Sequence, residues 1–346
     1  MKTYRIPRTD LEVTRIAYGC MKIGGRWDHG PITSDERARA ERAVVAAVEQ
    51  GVTLFDHADI YCMGKSEEVF GDILRAHPGL RDRILIQSKC GIRFPNDPDP
   101  GAPHRFDFSY RHIVASVEGS LKRLQTDRLD VLLLHRPDAL VEPEEVARAF
   151  DDLHRAGKVR YFGVSNHTPW QISLLQKYAA QPIIANQVEL SLLHADLIDD
   201  DIVANQQPHG YTASAGTLDY CREHGILVQA WGPVAGGRLF DSQRQQDERA
   251  QQTAALVAKM AQAKGTTPEA IALAWLLRHP AGIQPIIGTV EPARIAASCA
   301  ADAVTLSREA WYELFVTARA ARHCPEAEHS SKIRRKRAKT LRVCQI

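Results

Sequence analysis

Residues 129–135, LDVLLLH, form an almost unbroken apolar run that ends at an ionisable side chain. A strand this apolar has to bury both of its faces, which is typical of a parallel sheet covered by helices. In such sheets the carboxyl ends of the strands open into a cleft. His135, at the end of the run, is therefore a candidate for chemistry at that cleft.

Three further apolar segments end in polar side chains in the same way. They are VTLF (52–55), followed by Asp56 and Tyr61; RILIQS (83–88), followed by Lys89; and YFGV (161–164), followed by Ser165 and Asn166. A repeated polar ending indicates side chains that collect at one edge of a sheet. The sequence thus predicts a catalytic cluster at the strand ends.

Strand-like and helix-like segments alternate along the chain, and eight segments have strand character. These are 15–19, 52–56, 83–89, 129–135, 159–165, 182–189, 226–231 and 284–289. Each is followed by a helical segment, and eight repeated βα units predict a closed (β/α)8 TIM barrel of the α/β class. We place this single barrel domain at 1–322 and a basic C-terminal tail, expected to be disordered, at 323–346.

Local signals define the ends of several elements. Ser34 is predicted to cap the helix 34–51. The Pro-, Asp- and Gly-rich segment 93–108 and the long connection 191–215 are predicted to be irregular loops near the site. Within the second loop, Asp199–Asp201 lack the ligand spacing of a calcium site, which favours a solvated acidic face.

The composition is that of an ordinary globular protein. Of 346 residues, 44% are hydrophobic and 25% are charged, which excludes disorder of the whole chain. The start, MKTYRIPRTDLEV, lacks the apolar core of a signal peptide, and no stretch reaches the ~18 apolar residues of a membrane span. We therefore expect a cytoplasmic location. Seven cysteines without a CxxC pair predict reduced thiols and no metal site.

The net charge of +2 is unevenly distributed. Residues 332–342, KIRRKRAKTLR, hold seven of the 44 Lys and Arg, so the other 37 face 42 acidic residues and leave the rest of the chain at −5. A basic tail can bind nucleic acid. A solvated terminal extension is the more common case, so we expect no nucleic acid partner.

Several enzyme classes lack their motif. Gly64-Lys65-Ser66 resembles the end of a phosphate loop, but Asp59 stands where that loop requires glycine. Tyr61 and Lys65 match the YxxxK spacing of short-chain dehydrogenases, but Gly64 disfavours the helix that would align them. The absence of GxGxxG argues against a Rossmann domain, and GxSxG and HExxH are also absent.

The remaining cluster suits delivery of a proton. Tyrosine has a pKa near 10 and donates poorly at neutral pH unless a neighbouring charge stabilises its phenolate. Lys89 can supply that charge and lower the pKa of Tyr61, while Asp56 holds the lysine. His135 can donate a hydrogen bond to a substrate oxygen, so Tyr61 could protonate the alkoxide formed when hydride adds to a carbonyl. Each residue alone also fits a structural role, but their joint spacing favours catalysis.

These motifs resemble those of the aldo-keto reductase family. FDHADIY (55–61) is similar to the family's Asp-x4-Tyr signature, QSKCG (87–91) carries the matching lysine, and LLLHRPD (132–138) carries the matching histidine. The four residues of the family's catalytic tetrad are thus matched by Asp56, Tyr61, Lys89 and His135. Later segments such as QAWGPVAGGRL and PIIGTVEPARI also look like the family's, so the resemblance covers 5–322. It is closest to a bacterial subgroup of predicted oxidoreductases.

The resemblance implies a barrel that binds NADPH as hydride donor across its mouth, without a Rossmann motif. The residues expected at the nicotinamide are Ser165, Asn166, Gln187 and Trp231. A strap over the pyrophosphate is expected from Gly232, Pro233, Val234, Gly236, Gly237, Arg238 and Leu239. The other expected cofactor contacts are Gly19, Cys20, Met21, Asp56, Gly288, Thr289, Arg294 and Ser298.

The adenosine end departs from the family pattern at two places. Gly288-Thr289 stands where family members often have a Lys-Ser pair, and Ala297 and Ser298 stand where they often have Glu and Asn. Arg294 is retained, and its guanidinium suits a 2′-phosphate because it can bind phosphate with two parallel hydrogen bonds. We therefore expect NADPH in preference to NADH.

The substrate is expected to be a small carbonyl compound, an aldehyde or a ketone. Its site would include Tyr61 and His135, with apolar walls from Met21, Trp27 and Phe94. The family resemblance implies a monomer. It also leaves open an alternative, an NADP(H)-binding redox sensor or partner subunit that uses the same barrel with little turnover.

Overall fold

The eight predicted strands form a closed parallel barrel. A computed structural model describes residues 1–202, 216–241, 243 and 247–319. The barrel strands are β3 (Ala17–Gly19), β4 (Leu54–Asp56), β5 (Leu85–Cys90), β8 (Leu129–Leu134), β9 (Val159–Ser165), β10 (Ile183–Glu189), β11 (Leu227–Trp231) and β12 (Gln284–Ile287). They neighbour one another in chain order, and β12 closes against β3. The predicted TIM barrel is confirmed.

Helices cover the outside of the barrel. They are α1 (Ser34–Glu49), α2 (Lys65–Ala76), α3 (Leu80–Arg83), α4 (Tyr110–Leu124), α5 (Pro143–Arg155), α6 (Pro169–Tyr178), α7 (Asp196–Ile202), α8 (Thr217–Glu223), α9 (Glu248–Lys264), α10 (Pro268–Leu277), α11 (Pro292–Cys299) and α12 (Arg308–Arg319). Among the residues described, none of these helices is both long enough and apolar enough to cross a bilayer.

The apolar run at 129–134 is buried on both faces, as its composition predicts. Val131 and Leu133 belong to the cluster inside the barrel, whereas Leu132 and Leu134 belong to the cluster between the strands and the helices. Because successive side chains of a strand point to opposite faces, every second residue enters the interior. The last interior position before the barrel mouth is then the residue after the strand, His135.

A hairpin that the sequence did not reveal packs with the interior cluster. It consists of β1 (Thr3–Arg5) and β2 (Glu12–Thr14), which pair antiparallel. Ile6, Leu11 and Val13 of this hairpin belong to the same buried cluster as the interior side chains of the barrel strands. The hairpin therefore extends the barrel core.

Three local expectations need correction. The cap of α1 is Thr33 and not Ser34, since the Thr33 hydroxyl accepts from the Glu36 amide in a capping box. The 93–108 loop is not wholly irregular, because β6 (Ile92–Arg93) and β7 (Arg105–Phe106) pair at its two ends. The other predicted loop contains α7, in which Asp199 pairs with Arg319 at 2.6 Å. The predicted tail at 323–346 and the part of that loop at 203–215 lie outside the described residues.

The buried histidine after β4 makes stability depend on pH. Neither ring nitrogen of His57 has a hydrogen-bond partner, and its ring lies 4.5 Å from that of Phe70. Burial, helped by the charge of Lys89, lowers the pKa of His57 to about 3. The unfolded chain therefore binds a proton below about pH 6.5 that the folded protein does not bind, and stability falls as the pH falls through this range.

We predict that His57→Leu removes this part of the acid sensitivity. Between pH 7.5 and pH 5 the variant should lose about 2 kcal/mol less free energy of unfolding than the wild type. Urea titrations at several pH values measure the difference. Packing changes are independent of pH and cancel from the comparison, so parallel curves for the two proteins would contradict the prediction.

Candidate active site

Two predicted catalytic residues, Asp56 and Tyr61, are hydrogen-bonded to a third, the Lys89 ammonium. Its Nζ donates to Asp56 Oδ2 at 2.8 Å, to the His57 backbone oxygen at 2.8 Å and to Tyr61 Oη at 3.0 Å. An ammonium group has three protons. All three are used, and the Lys89 side chain is completely buried, so its position is fixed.

Strand register and a tight turn create this geometry. Asp56 ends β4 and lies opposite Gln87 of β5, one interior position below Lys89. The chain then turns at 59–64, where Cys62, Met63 and Gly64 have positive φ angles of 50°, 59° and 87°. Such left-handed residues reverse the chain sharply. The turn brings Tyr61 back over Lys89, and α2 begins only at Lys65, which excludes a shared helix face for Tyr61 and Lys65.

His135 completes the cluster from the next strand. It follows β8, and its amide donates to the Cys90 oxygen at 2.9 Å. The imidazole lies edge-on to the Tyr61 ring with centroids 5.8 Å apart. Burial, with the positive charges of Lys89 and Arg136, holds the pKa of His135 well below its ordinary value. The ring is neutral at neutral pH and can still donate from one nitrogen.

The ionisation of Tyr61 differs from the sequence-based expectation. Burial raises the pKa of Tyr61, and the Lys89 charge opposes this rise without reversing it. Burial alone would lower the pKa of Lys89, but Asp56 and Tyr61 outweigh that effect and raise it. Lys89 lowers the pKa of Tyr61 as predicted, but burial outweighs this effect, so the net shift is opposite to the predicted one. Tyr61 is a protonated phenol that lies against a permanent cation.

The residues expected at a nicotinamide lie together on the next strands. Asn166 Nδ2 donates to Ser165 Oγ at 2.8 Å, and Trp231 Nε1 donates to Asn166 Oδ1 at 3.0 Å. Gln187 lies opposite Ser165 in the sheet, and its Nε2 donates to Asp56 Oδ1 at 3.0 Å. This hydrogen-bonded group joins the catalytic cluster through Asp56.

The predicted strap follows Trp231 directly. Gly232, Gly236 and Gly237 have φ angles of 63°, 67° and 86°, which favour glycine. A Cβ on Gly236 would have no neighbour within 4 Å. Arg238 is held by Asp247 at 3.0 Å, and Leu239 is buried. Pro233 and Val234 lie between the first glycine and the short 3-10 helix Ala235–Gly237.

The other expected cofactor residues lie at β3, β12 and α11. Gly19 and Gly288 approach closely, since a Cβ on Gly288 would lie 3.9 Å from the Gly19 oxygen. Cys20 is completely buried, and its backbone amide donates to the Asp56 backbone oxygen. Its side chain therefore has no exposed surface for a cofactor. The Thr289 oxygen accepts from Tyr18 Oη at 3.0 Å. On α11, Arg294 is exposed, whereas Ser298 is buried.

An aromatic wall stands beside Tyr61. The Trp27 ring lies edge-on to both Tyr61 and Phe94, with centroid distances of 6.5 Å and 6.4 Å. Trp27 is 47% exposed and Met21 is 39% exposed, so both have surface available to a ligand. Trp27 and Phe94 therefore lie on one side of Tyr61, and the Met21 backbone oxygen accepts from Cys62 Sγ, the residue after Tyr61, at 3.1 Å.

Comparison with known proteins agrees with this geometry. The profile described as Aldo/keto reductase family matches residues 15–314. The chain belongs to the aldo/keto reductase family. It is 39% identical to 6-dehydroglucose reductase of Agrobacterium fabrum over 316 residues, which is 91% of this chain and 97% of that protein. It is also 39% identical to an oxidoreductase of Escherichia coli K12 over 79% of this chain and 86% of that protein.

A solved structure gives the same fold. The glycerol dehydrogenase of Gluconobacter oxydans superposes with a TM-score of 0.76 at 26% identity, covering 93% of this chain and 96% of that one. This chain is therefore an aldo/keto reductase barrel over its described length. Its similarity to named bacterial oxidoreductases confirms the subgroup that the motifs indicated.

The sequence analysis missed the polar layer below the tetrad of this aldo/keto reductase. Gln87 Nε2 donates to Asp56 Oδ1 at 2.6 Å and to Gln229 Oε1 at 2.9 Å. Gln229 Nε2 donates to Gln284 Oε1 at 3.0 Å. The signal was present for Gln87 and Gln229, because each follows apolar residues of its strand at an interior position. Their partners could not be read, since they lie on strands distant in the chain.

We predict that Lys89→Met destabilises the protein by about 3–5 kcal/mol, because it leaves the buried Asp56 carboxylate without its cation. Replacing both partners, as Asp56→Leu with Lys89→Met, should recover much of that loss, since an apolar pair needs no charge compensation. Urea unfolding of the single and double variants measures both effects. Arg155→Met, which removes the exposed pair with Asp151, is the control and should change stability little. A double variant no more stable than the single one would contradict this account.

Proposed function

We propose that this chain is an NADPH-dependent oxidoreductase that reduces an aldehyde or ketone to an alcohol, with Tyr61 as general acid. The observation that carries the proposal is the Lys89 ammonium 3.0 Å from Tyr61 Oη and 2.8 Å from Asp56 Oδ2. Membership of an oxidoreductase family and similarity to a named reductase support it.

The residues of the site have complementary roles in the proposed reaction. Tyr61, kept protonated by burial, donates its proton to the carbonyl oxygen as negative charge develops there. The phenolate that remains is stabilised by Lys89, whose charge is already in place. His135, neutral at working pH, donates a hydrogen bond that orients the carbonyl oxygen. Asp56 fixes the ammonium and takes no direct part in the proton transfer.

The polar group at the barrel mouth fits a nicotinamide. Ser165 and Asn166 offer hydroxyl and amide groups, and the Trp231 indole is held by Asn166. Gln187 uses its Nε2 on Asp56 and Gln229, so its oxygen is the atom left to accept from a carboxamide. When bound there, the dihydronicotinamide would supply the hydride to the carbonyl carbon.

Two features support the strap as a pyrophosphate site. The positive φ angles at Gly232, Gly236 and Gly237 let the backbone approach a ligand closely. Arg238 lies on the same segment and adds positive charge, which its contact with Asp247 positions. The strap therefore offers a close backbone surface and a cation to phosphate oxygens.

We predict that Tyr61→Phe lowers kcat by about 10²–10⁴-fold, because the variant retains the ring but cannot donate the proton. NADPH oxidation, followed by absorbance with a panel of aldehydes, ketones and quinones, measures the loss. NADPH binding, measured by fluorescence titration, should remain within a few fold of the wild-type value. Full activity of the Tyr61→Phe variant would contradict the assignment of Tyr61 as the general acid.

The same experiment separates the reductase from the sensor. Wild-type protein that binds NADPH but turns over none of these substrates would favour an NADP(H)-binding sensor or partner subunit. Turnover that depends on Tyr61 would exclude that alternative as the main role.

We predict that Arg294→Met weakens binding of NADPH by about 10-fold or more and leaves NADH binding nearly unchanged. The reason is that only NADPH carries a 2′-phosphate for an exposed guanidinium to bind. Calorimetric Kd values for the two cofactors measure the change. Arg308→Met, which removes an exposed arginine from α12, is the matched control. An equal loss of affinity for NADPH and NADH would exclude Arg294 as the residue that binds the 2′-phosphate.

The remaining expectations also stand as proposals. We propose a monomer that acts on a small-molecule carbonyl compound in the cytoplasm. The basic segment 332–342 is proposed not to bind nucleic acid. Loss of salt-sensitive DNA retention on deletion of residues 325–346 would contradict that assignment.

A further inference from the structure

We infer that Gln87, Gln229 and Gln284 are positioning residues in a chain of hydrogen bonds that links the Thr14 backbone oxygen to the Asp56 carboxylate. The chain holds Asp56 in the place from which it anchors Lys89. The expected effect of this hydrogen-bond chain on the reaction rate rests on the proposed function. Its effect on the position of Asp56 does not.

The direction of the chain is fixed at one end by an atom that can only accept. Gln284 Nε2 donates to the Thr14 oxygen at 2.7 Å, so its Oε1 must face the next residue. That oxygen accepts from Gln229 Nε2 at 3.0 Å. The Gln229 amide is thereby oriented, and its own oxygen points toward Gln87 and Gln187.

The other end of the chain closes a square of four hydrogen bonds. Gln87 Nε2 and Gln187 Nε2 each donate to Gln229 Oε1, at 2.9 Å and 3.2 Å. Each also donates to Asp56 Oδ1, at 2.6 Å and 3.0 Å. The two amides therefore present only donors to the carboxylate oxygen. With Gln229 as the opposite corner, reversing either amide would bring two acceptors together.

This arrangement gives the two oxygens of the Asp56 carboxylate different partners. Oδ1 is saturated by the two glutamine amides, so Oδ2 alone faces the Lys89 ammonium at 2.8 Å. The ammonium then keeps a proton for Tyr61 Oη. A carboxylate without the square would be free to rotate and to take both oxygens to Lys89, which would change the distance from Lys89 to Tyr61.

The location of the glutamines argues against a purely space-filling role. Gln87 is 1% exposed, and Gln229 and Gln284 are completely buried. Side chains inside such barrels are mostly branched and apolar, and a buried amide is costly unless it is hydrogen-bonded. Gln284 and Gln229 donate toward Thr14, which turns the Gln229 oxygen to Gln87 and leaves Gln87 Nε2 as a donor to Asp56. The three amides together therefore orient the donors around that carboxylate.

A thermodynamic cycle tests the anchoring without any need for turnover. Gln87→Met is made in the wild type and in the background that carries Asp56→Leu and Lys89→Met. Leu227→Met, an interior residue two positions before Gln229, is the matched control in both backgrounds. Urea unfolding gives the equilibrium constants, and kcat and KM are measured in the otherwise wild-type variants.

We expect Gln87→Met to raise the unfolding constant at least about tenfold more in the wild type than in the apolar background. Leu227→Met should have the same effect in both, because neither side chain donates or accepts a hydrogen bond in the chain. We also expect kcat to fall at least about tenfold at a KM within about twofold of wild type, since a small displacement of an anchored group slows chemistry and not binding.

Two results would overturn the inference. One is an equal effect of Gln87→Met in the two backgrounds, and the other is an unchanged kcat in an enzyme that is active. If Gln87→Met does not fold, Gln229→Met is judged by the same criteria. Coupling in unfolding with no turnover by the wild type would support the anchoring of Asp56 and would refute the proposed reaction, so the two failures are distinguishable.

Discussion

The structure of the site depends on one buried ion pair, Asp56 with Lys89. An ammonium and a carboxylate inside a barrel lose their hydration, and their attraction offsets that loss only when the remaining protons and lone pairs are also bonded. Here each is bonded: Lys89 uses its third proton on a backbone oxygen, and Asp56 Oδ1 accepts from two glutamines. The pair is therefore rigid as well as stable.

The barrel builds this environment by simple alternation along each strand. On β5 the interior positions are Leu85, Gln87 and Lys89, which pass from the apolar core to the amide layer and then to the tetrad. On β11 they are Leu227, Gln229 and Trp231. The same two-residue step on several strands stacks the layers, so the fold places Asp56 among the amides and Lys89 one interior position above them, away from the apolar core.

Burial acts in opposite directions on the two ring side chains beside the cation. It raises the pKa of Tyr61 and lowers that of His135, because in each case the charged form is disfavoured. Both groups are therefore neutral and carry a proton, and the permanent charge of Lys89 lies between carboxylate and phenol. This distribution is suited to supplying one proton to a developing negative charge without a net charge on either ring in the resting site.

The sequence by itself determined the eight strands and the barrel, and it singled out Asp56, Tyr61, Lys89 and His135 as a candidate cluster. Apolar runs that end in polar residues report burial and strand ends directly, and both are local properties. Only the tertiary structure decided the glutamine square, the N-terminal hairpin and the contact of Trp27 with Tyr61 and Phe94. These contacts join residues that are far apart in the chain. No short sequence pattern shows which strands and loops face each other. It also decided the ionisation of Tyr61, because the balance of burial against charge requires the surroundings of the ring.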